Sequence, residues 1–173
     1  MENINNIFLI GMMGSWKSSI GKKLSKKLNI ELCDTDNDIV SLTNLSIDEI
    51  FDLYGEDRFR EMEAAYFKEK SKNGKAIFST GGGIILRKAS RQILISSGLT
   101  IFLDADINVL AERIKNISER PLLSNGNKKK ILNKLYKQRI DYYKQCADLT
   151  INTENSSLEV ISEKIIKRYN EKN

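Results

Sequence analysis

The stretch Ile7-Phe8-Leu9-Ile10-Gly11-Met12-Met13-Gly14-Ser15-Trp16-Lys17-Ser18-Ser19 passes from a compact apolar run, through glycines, to a lysine and two hydroxyls. An apolar run of this length ended by glycine is typical of a strand buried on both faces in an α/β protein. From Lys17 to Leu28 the apolar positions Ile20, Leu24 and Leu28 recur every four residues among Lys and Ser, which is one face of a helix. Strand, glycine loop and helix therefore follow one another. In that setting the backbone amides of Gly14 to Ser19 at a helix N-terminus can cradle anionic oxygens, Lys17 can reach the β- and γ-phosphates of a nucleotide, and Ser18 can offer a hydroxyl to Mg²⁺. Gly14, Ser15, Trp16, Lys17, Ser18 and Ser19 are thus the candidate nucleotide-binding residues. The strict pattern requires glycine before the lysine, so that backbone approaches phosphate with no Cβ between, and here that position is Trp16. An ordinary strand-turn-helix corner fits the same residues, and the rest of the chain must arbitrate.

Further along, Ile30 to Cys33 reads as a second strand running into Asp34-Thr35-Asp36. Ser46 with Glu49 three residues on forms a capping box, and a further helix is expected over about Arg58 to Lys70. Ala76-Ile77-Phe78 leads into Gly81-Gly82-Gly83, while Thr100 to Leu103 and Leu149 to Ile151 carry the β-branched and aromatic character of strands. Ser156 with Glu159 is expected to cap a last helix whose Leu158, Ile161 and Ile165 face the core. Strands alternating with helices imply a three-layer, doubly wound α/β sandwich on a five-stranded parallel sheet. Between about Asn116 and Lys130 the periodicity is lost, which suggests a mobile loop able to serve as an active-site lid. No repeat or linker interrupts the chain, so one domain over 1–173 is expected.

Composition narrows the chemistry. The chain contains no histidine, which excludes histidine triads and the common zinc sites and leaves acid and base work to carboxylates, Lys or Tyr. The net charge of +5 favours anionic partners, but Lys is interleaved with Glu and Asp along helices, and aromatics make up only 8%. A nucleic-acid reader is not indicated. Cys33 and Cys146 lack metal-type spacing, and Met1-Glu2-Asn3 opens no basic leader. With no apolar run of membrane-spanning length, the expectation is a cytoplasmic protein in a reducing compartment, in contact with neither membrane nor nucleic acid.

Asp34-Thr35-Asp36, Phe59-Arg60-Glu61-Met62-Glu63, Gly81-Gly82-Gly83, Arg120-Pro121-Leu122-Leu123, and Arg139 followed by Tyr143 occur in one order behind the loop at Gly11. Together they resemble the shikimate kinase family over nearly the whole chain. The resemblance implies ATP-dependent phosphorylation of the 3-hydroxyl of shikimate, a step toward aromatic amino acids, on a P-loop, nucleoside monophosphate kinase-like fold; a monomer is expected. It implies that Asp36 contacts the substrate hydroxyls as general base and that Asp34 helps hold Mg²⁺. Arg60 and Arg139 would grip the substrate carboxylate, a task suited to a planar guanidinium. Gly82 and Gly83 would bring backbone amides against the substrate, Arg113 would pack against adenine, and Arg120 would close over the transferring phosphoryl group with Lys17. Glu63 would orient Arg60. Taken singly, the aspartates also fit turn caps, the arginines surface ion pairs, and the glycines a plain turn. Two other readings stay open: a shikimate-binding module whose nucleotide site is impaired by Trp16, and a P-loop kinase for another small hydroxy acid such as gluconate, or for a nucleotide.

Overall fold

Consecutive side chains of a strand point to opposite faces, and β1 (Asn6–Ile10) shows the consequence in a sheet covered on both sides. Phe8 and Ile10 enter one core with Phe67, Phe78, Leu94, Phe102 and Tyr143. Ile7 and Leu9 enter the other with Ile20, Leu24, Ile77, Ile101, Ile161 and Ile165. A strand with no solvent face needs no polar positions, which is why this segment reads as one continuous apolar run. The computed structural model describes residues 6–72, 74–115 and 127–172. Along them follow α1 (Lys17–Leu28), β2 (Glu31–Asp34), α2 (Thr35–Thr43), α3 (Ile47–Lys70), β3 (Ala76–Ser79), a 3-10 turn (Ile84–Leu86) and α4 (Lys88–Ser96). β4 (Gly98–Asp104), α5 (Ile107–Arg113), α6 (Lys128–Cys146), β5 (Leu149–Asn152) and α7 (Leu158–Lys172) complete the order.

All strand pairs are parallel, and the five strands lie in the order β2-β3-β1-β4-β5. Residues of α3, α4 and α6 cover the first core, and those of α1 and α7 the second. The expected doubly wound sandwich is therefore the observed one. From β1 the chain runs outward to β2, returns through β3, then crosses to β4 and β5. Winding reverses beside β1, and the crevice outside the carboxyl ends of strands at such a point is where open α/β sheets bind ligands.

Element ends follow local chemistry, with some departures from expectation. Ser46 and Glu49 form the capping box, their backbone N–H groups donating to each other's side chains at 2.7 and 3.2 Å. Gly55, at φ 80° and ψ 164°, breaks α3, so the two helices expected there meet at a kink. The expected Ser156 cap is not formed: Ser157 Oγ accepts from the Val160 amide at 3.3 Å instead. Glu159 turns outward to Lys23 and Lys27 and ties α7 to α1. Lys128–Lys130 belong to the first turn of α6, where Asn127 Oδ1 accepts from the Lys129 and Lys130 amides, and so are not part of a loop. The rest of the expected lid, Arg120 with it, lies outside the described residues. Four helices, α2, α4, α5 and α6, are not delimited by the sequence pattern. Cys33 and Cys146 are buried and unbridged, and among the described residues no helix is long and apolar enough to cross a membrane.

Phe8, Phe67 and Phe78 form an aromatic triangle with centroid separations of 5.2 to 5.4 Å that fixes α3 on the sheet. Phe67 is fully buried. Phe67→Ala should lower the free energy of unfolding by about 4 kcal/mol, read from urea denaturation, through lost transfer energy and the cavity left behind.

Candidate active site

The carboxyl end of β1 turns through Gly11 to Trp16 into α1, so the first turn of α1 points its free amides into the crevice. Lys17 lies back over this loop, its Nζ donating to the carbonyls of Gly11 at 2.9 Å and Met12 at 2.8 Å. Ser18 Oγ donates to Asp34 Oδ2 at 2.8 Å and sits 3.0 Å from Ser79 Oγ, which joins the ends of β2 and β3 to the start of α1. Ser15 is buried under the loop and Ser19 is exposed on the first helical turn. A cleft of about 270 Å³ opens here, lined by Trp16, Lys17, Asp34, Asp36, Gly82 and Arg113 among others. Ser18 and Asp34 supply two hard oxygens at one point, and among the described residues no cluster of three His, Cys, Asp or Glu exists. Such a pair fits Mg²⁺, which takes one or two protein ligands and fills its shell with phosphate oxygens and water.

Trp16 stands at φ 70° and ψ 18°, the left-handed region, at the N-cap of α1. Glycine is favoured here because this conformation costs other residues about 1–2 kcal/mol. The side chain is carried to Arg113, whose Cζ lies 3.5 Å from the indole ring centre. Arg113, at the end of α5, donates to the Gly14 carbonyl at 3.3 Å and to the hydroxyl and carbonyl of Thr153 at 2.8 Å. Burial holds its pKa below the ordinary arginine value.

On the other side of β1, the glycines after β3 are hemmed in by charged groups. A Cβ on Gly81 would run into the carboxylates of Glu63 and Asp36, and one on Gly83 into the Arg60 guanidinium. A Cβ on Gly82 would lie 3.5 Å from both Arg139 Nη1 and the Tyr143 hydroxyl. Arg60 donates to Glu63 at 2.8 Å and to Glu56 at 3.1 Å, on neighbouring turns of α3. Tyr143, stacked on Phe102 at 5.0 Å between centroids, donates its hydroxyl to the Gly82 carbonyl at 2.5 Å. Arg139 is 3% exposed, and its Nε has no hydrogen-bond partner within the structure. Glu63 Oε1 is likewise buried without a partner. Buried polar atoms in native proteins are nearly always paired, so two orphans converging on one crevice mark a place built for a polar ligand.

Burial opposes the charge of Arg60, but Glu63 and Glu56 outweigh it and hold the guanidinium above its ordinary pKa. Burial is also the main influence on Glu63, pushing it up to about 7; Arg60 opposes this and the Asp36 carboxylate adds to it. Burial raises Tyr143 to about 12, so it remains a hydrogen-bond donor at neutral pH.

The predicted residues thus fall into two adjoining groups along one crevice. Lys17, Ser18, Asp34 and Arg113 gather on the loop side, and Asp36, Arg60, Gly82, Gly83 and Arg139 on the β3 side. Asp34 does cap a helix, accepting from the Asn37 amide at 3.4 Å, while also holding Ser18; Asp36 lies in the first turn of α2 and is not the cap. The ion pairs of Arg60 are real but buried, unlike surface pairs. Glu56, Gly81, Ser79 and Thr153 complete the site without having been picked out. Gly81 alone carried a signal, as the first of the triplet. A hollow of about 560 Å³ between β5 and α7 is larger, but Arg168 on its wall pairs with Glu171 at 3.4 Å, and it lies away from the phosphate loop and the glycine triplet.

A parallel sheet of this order, with a lysine-bearing glycine loop at its winding reversal, is the architecture of a P-loop kinase. A family model described as shikimate kinase matches residues 13–170, and the chain belongs to the shikimate kinase family. It is 40% identical over 163 residues to a shikimate kinase of Caldicellulosiruptor bescii, covering 94% of each chain. It is 41% identical to one of Caldicellulosiruptor saccharolyticus over the same share of both. The fold matches that of a shikimate kinase from Acinetobacter baumannii solved in complex with shikimate, with a TM-score of 0.92 and 30% identity over 96% of this chain and 93% of the other.

Between pH 4.5 and about 7, folded Glu63 keeps a proton that the unfolded chain releases. Its stabilising contribution is therefore complete below the unfolded value and lost as pH rises through the folded one. The melting temperature of the wild type relative to Glu63→Gln should fall across that window; a difference that does not change with pH would contradict the placement of Glu63.

Proposed function

We propose that this chain catalyses ATP-dependent phosphorylation of the 3-hydroxyl of shikimate, giving shikimate 3-phosphate and ADP on the route to aromatic amino acids. The observation that carries this is the convergence of Arg60, Arg139, Glu63 and Asp36 on the bare backbone of Gly81 to Gly83, which follows the strand next to β1 and shares a cleft with the phosphate loop. Arg139, buried with an unpartnered Nε, takes the substrate carboxylate together with Arg60. Glu63 keeps Arg60 in place while that anion is bound.

Asp36 orients the 3-hydroxyl and accepts its proton as the hydroxyl oxygen attacks the γ-phosphorus; the bond from that phosphorus to the β,γ-bridging oxygen breaks, and ADP leaves with the electron pair. Lys17 leaves the loop carbonyls for the phosphate oxygens and, with the amides of Gly14 to Ser19, spreads their charge. Ser18 and Asp34 would hold Mg²⁺, which would supply positive charge against the phosphates. Arg113 takes the adenine and Arg120, outside the described residues, closes over the phosphoryl group and excludes water. One domain over 1–173, acting as a monomer in the cytoplasm away from nucleic acid and membrane, completes the reading. The acid and arginine set supports shikimate over gluconate or a nucleotide as acceptor, and the paired Ser18 and Asp34 support an active kinase over a nucleotide-free binding module.

With Mg-ATP, the purified protein should release ADP only when shikimate is present. Asp36→Asn should lower kcat by at least about a hundredfold with a small change in KM. Arg139→Ala should raise KM for shikimate by at least about thirtyfold, the usual loss on truncating a buried charge partner. Preference for gluconate or a nucleotide as acceptor would overturn the assignment.

A further inference from the structure

Trp16 is the one tryptophan of the chain, and its ring lies over a guanidinium that cannot swing aside. Hydrogen bonds to the Gly14 carbonyl and to the hydroxyl and carbonyl of Thr153 fix Arg113 between the phosphate loop and the turn after β5. It forms a rigid, planar, cationic platform beside the phosphate cleft.

Among the described residues, a nucleotide whose phosphates rest on the N-terminus of α1 has one side on which to place its base. Toward β2 and β3 the crevice is taken by Asp34, Asp36 and the charged groups around the glycine triplet. Toward β4 and β5 it meets Arg113. A guanidinium face stacks on flat π-systems, and an indole competes for it on equal terms with a purine. One face cannot hold both rings.

We propose that the indole of Trp16 occupies the base-stacking face of Arg113 as an internal competitor, so that a purine nucleotide binds by displacing it. This rests on the reading of ATP as phosphoryl donor. Trp16 holds the left-handed backbone conformation that glycine adopts without cost, and its side chain leaves the loop for Arg113. Trp16 therefore opposes the base and not the phosphates. Apparent affinity falls by the fraction of molecules whose platform is free, and a contact of this kind corresponds to about a tenfold loss. Shikimate, held at the glycine triplet after β3, is unaffected.

The test is calorimetric titration of wild type and Trp16→Ala with Mg-ADP and with Mg-tripolyphosphate, alongside tryptophan emission of the wild type. Alanine removes the ring but keeps a Cβ at the same backbone position. Mg-ADP should bind Trp16→Ala about tenfold more tightly than wild type. Tripolyphosphate, which has no base, should bind both equally, and Mg-ADP should shift wild-type emission to longer wavelength as the indole enters water. Equal or weaker Mg-ADP binding by Trp16→Ala would overturn the proposal and make the indole neutral or a support for the base. An equal gain for tripolyphosphate would overturn it too, by placing the obstruction at the phosphates. If tripolyphosphate binds and Mg-ADP binds neither protein, the nucleotide reading itself falls, and this proposal with it. Shikimate binding by Trp16→Ala checks its folding; should it not fold, Trp16→Phe, with a smaller ring on the same face, should show a smaller gain of the same kind.

Discussion

Arg60 and Glu63 pack their charged ends against backbone that has no side chains of its own. Room for them exists because Gly81 and Gly83 follow β3, where any Cβ would meet a carboxylate or a guanidinium. The acceptor half of the site depends on this absence of atoms. Burying the two arginines Arg60 and Arg139 with the Glu63 carboxylate is expensive unless each charge is answered. Glu56 and Glu63 answer Arg60, while the buried Nε of Arg139 is left without an acceptor among the described residues. The site is electrostatically incomplete without its ligand, and that incompleteness is a form of specificity.

The sheet supplies the other half by geometry alone. Parallel strands all present their carboxyl ends to one edge, and winding reverses beside β1, so the phosphate loop and the glycine triplet emerge as neighbours. Ser18, Asp34 and Ser79, from α1, β2 and β3, then meet within hydrogen-bonding distance at the seam. Two apolar cores hold these ends in register, and the Phe8, Phe67 and Phe78 cluster anchors the same α3 that carries Arg60 and Glu63. Packing in the core and placement of charge in the crevice are linked through one helix.

Much of this was legible in the sequence. The inner strands β1, β3 and β4, buried on both faces, announce themselves as apolar runs, the edge strands β2 and β5 show only short apolar stretches with Cys33 and Ile151 buried, and Ser46 with Glu49 marks a helix start unambiguously. Position Ser156 misled because Ser157 caps equally well, and one residue of slip is invisible to pattern. The helices α2 and α4 were missed: α2 opens with polar residues engaged at the site, and α4 is short with a mixed surface. The ordered motif set identified the acceptor residues, but not that Gly81 and Gly83 serve by making space for charged side chains. That role depends on contacts distant in the chain. Nor could spacing tell that Trp16 would find Arg113, nearly a hundred residues away and brought near by β4 and β5.

Calorimetric titration of shikimate into wild-type protein and into Gly83→Ala, with Mg-ADP titrated into both as a control, tests the dependence on the bare backbone most directly. Alanine at 83 must push the Arg60 guanidinium away from the crevice while leaving the phosphate loop untouched. The account predicts that Gly83→Ala loses shikimate binding by about a hundredfold or more, the scale of a displaced buried charge partner, and keeps its Mg-ADP affinity. Shikimate affinity equal in the two proteins would contradict it.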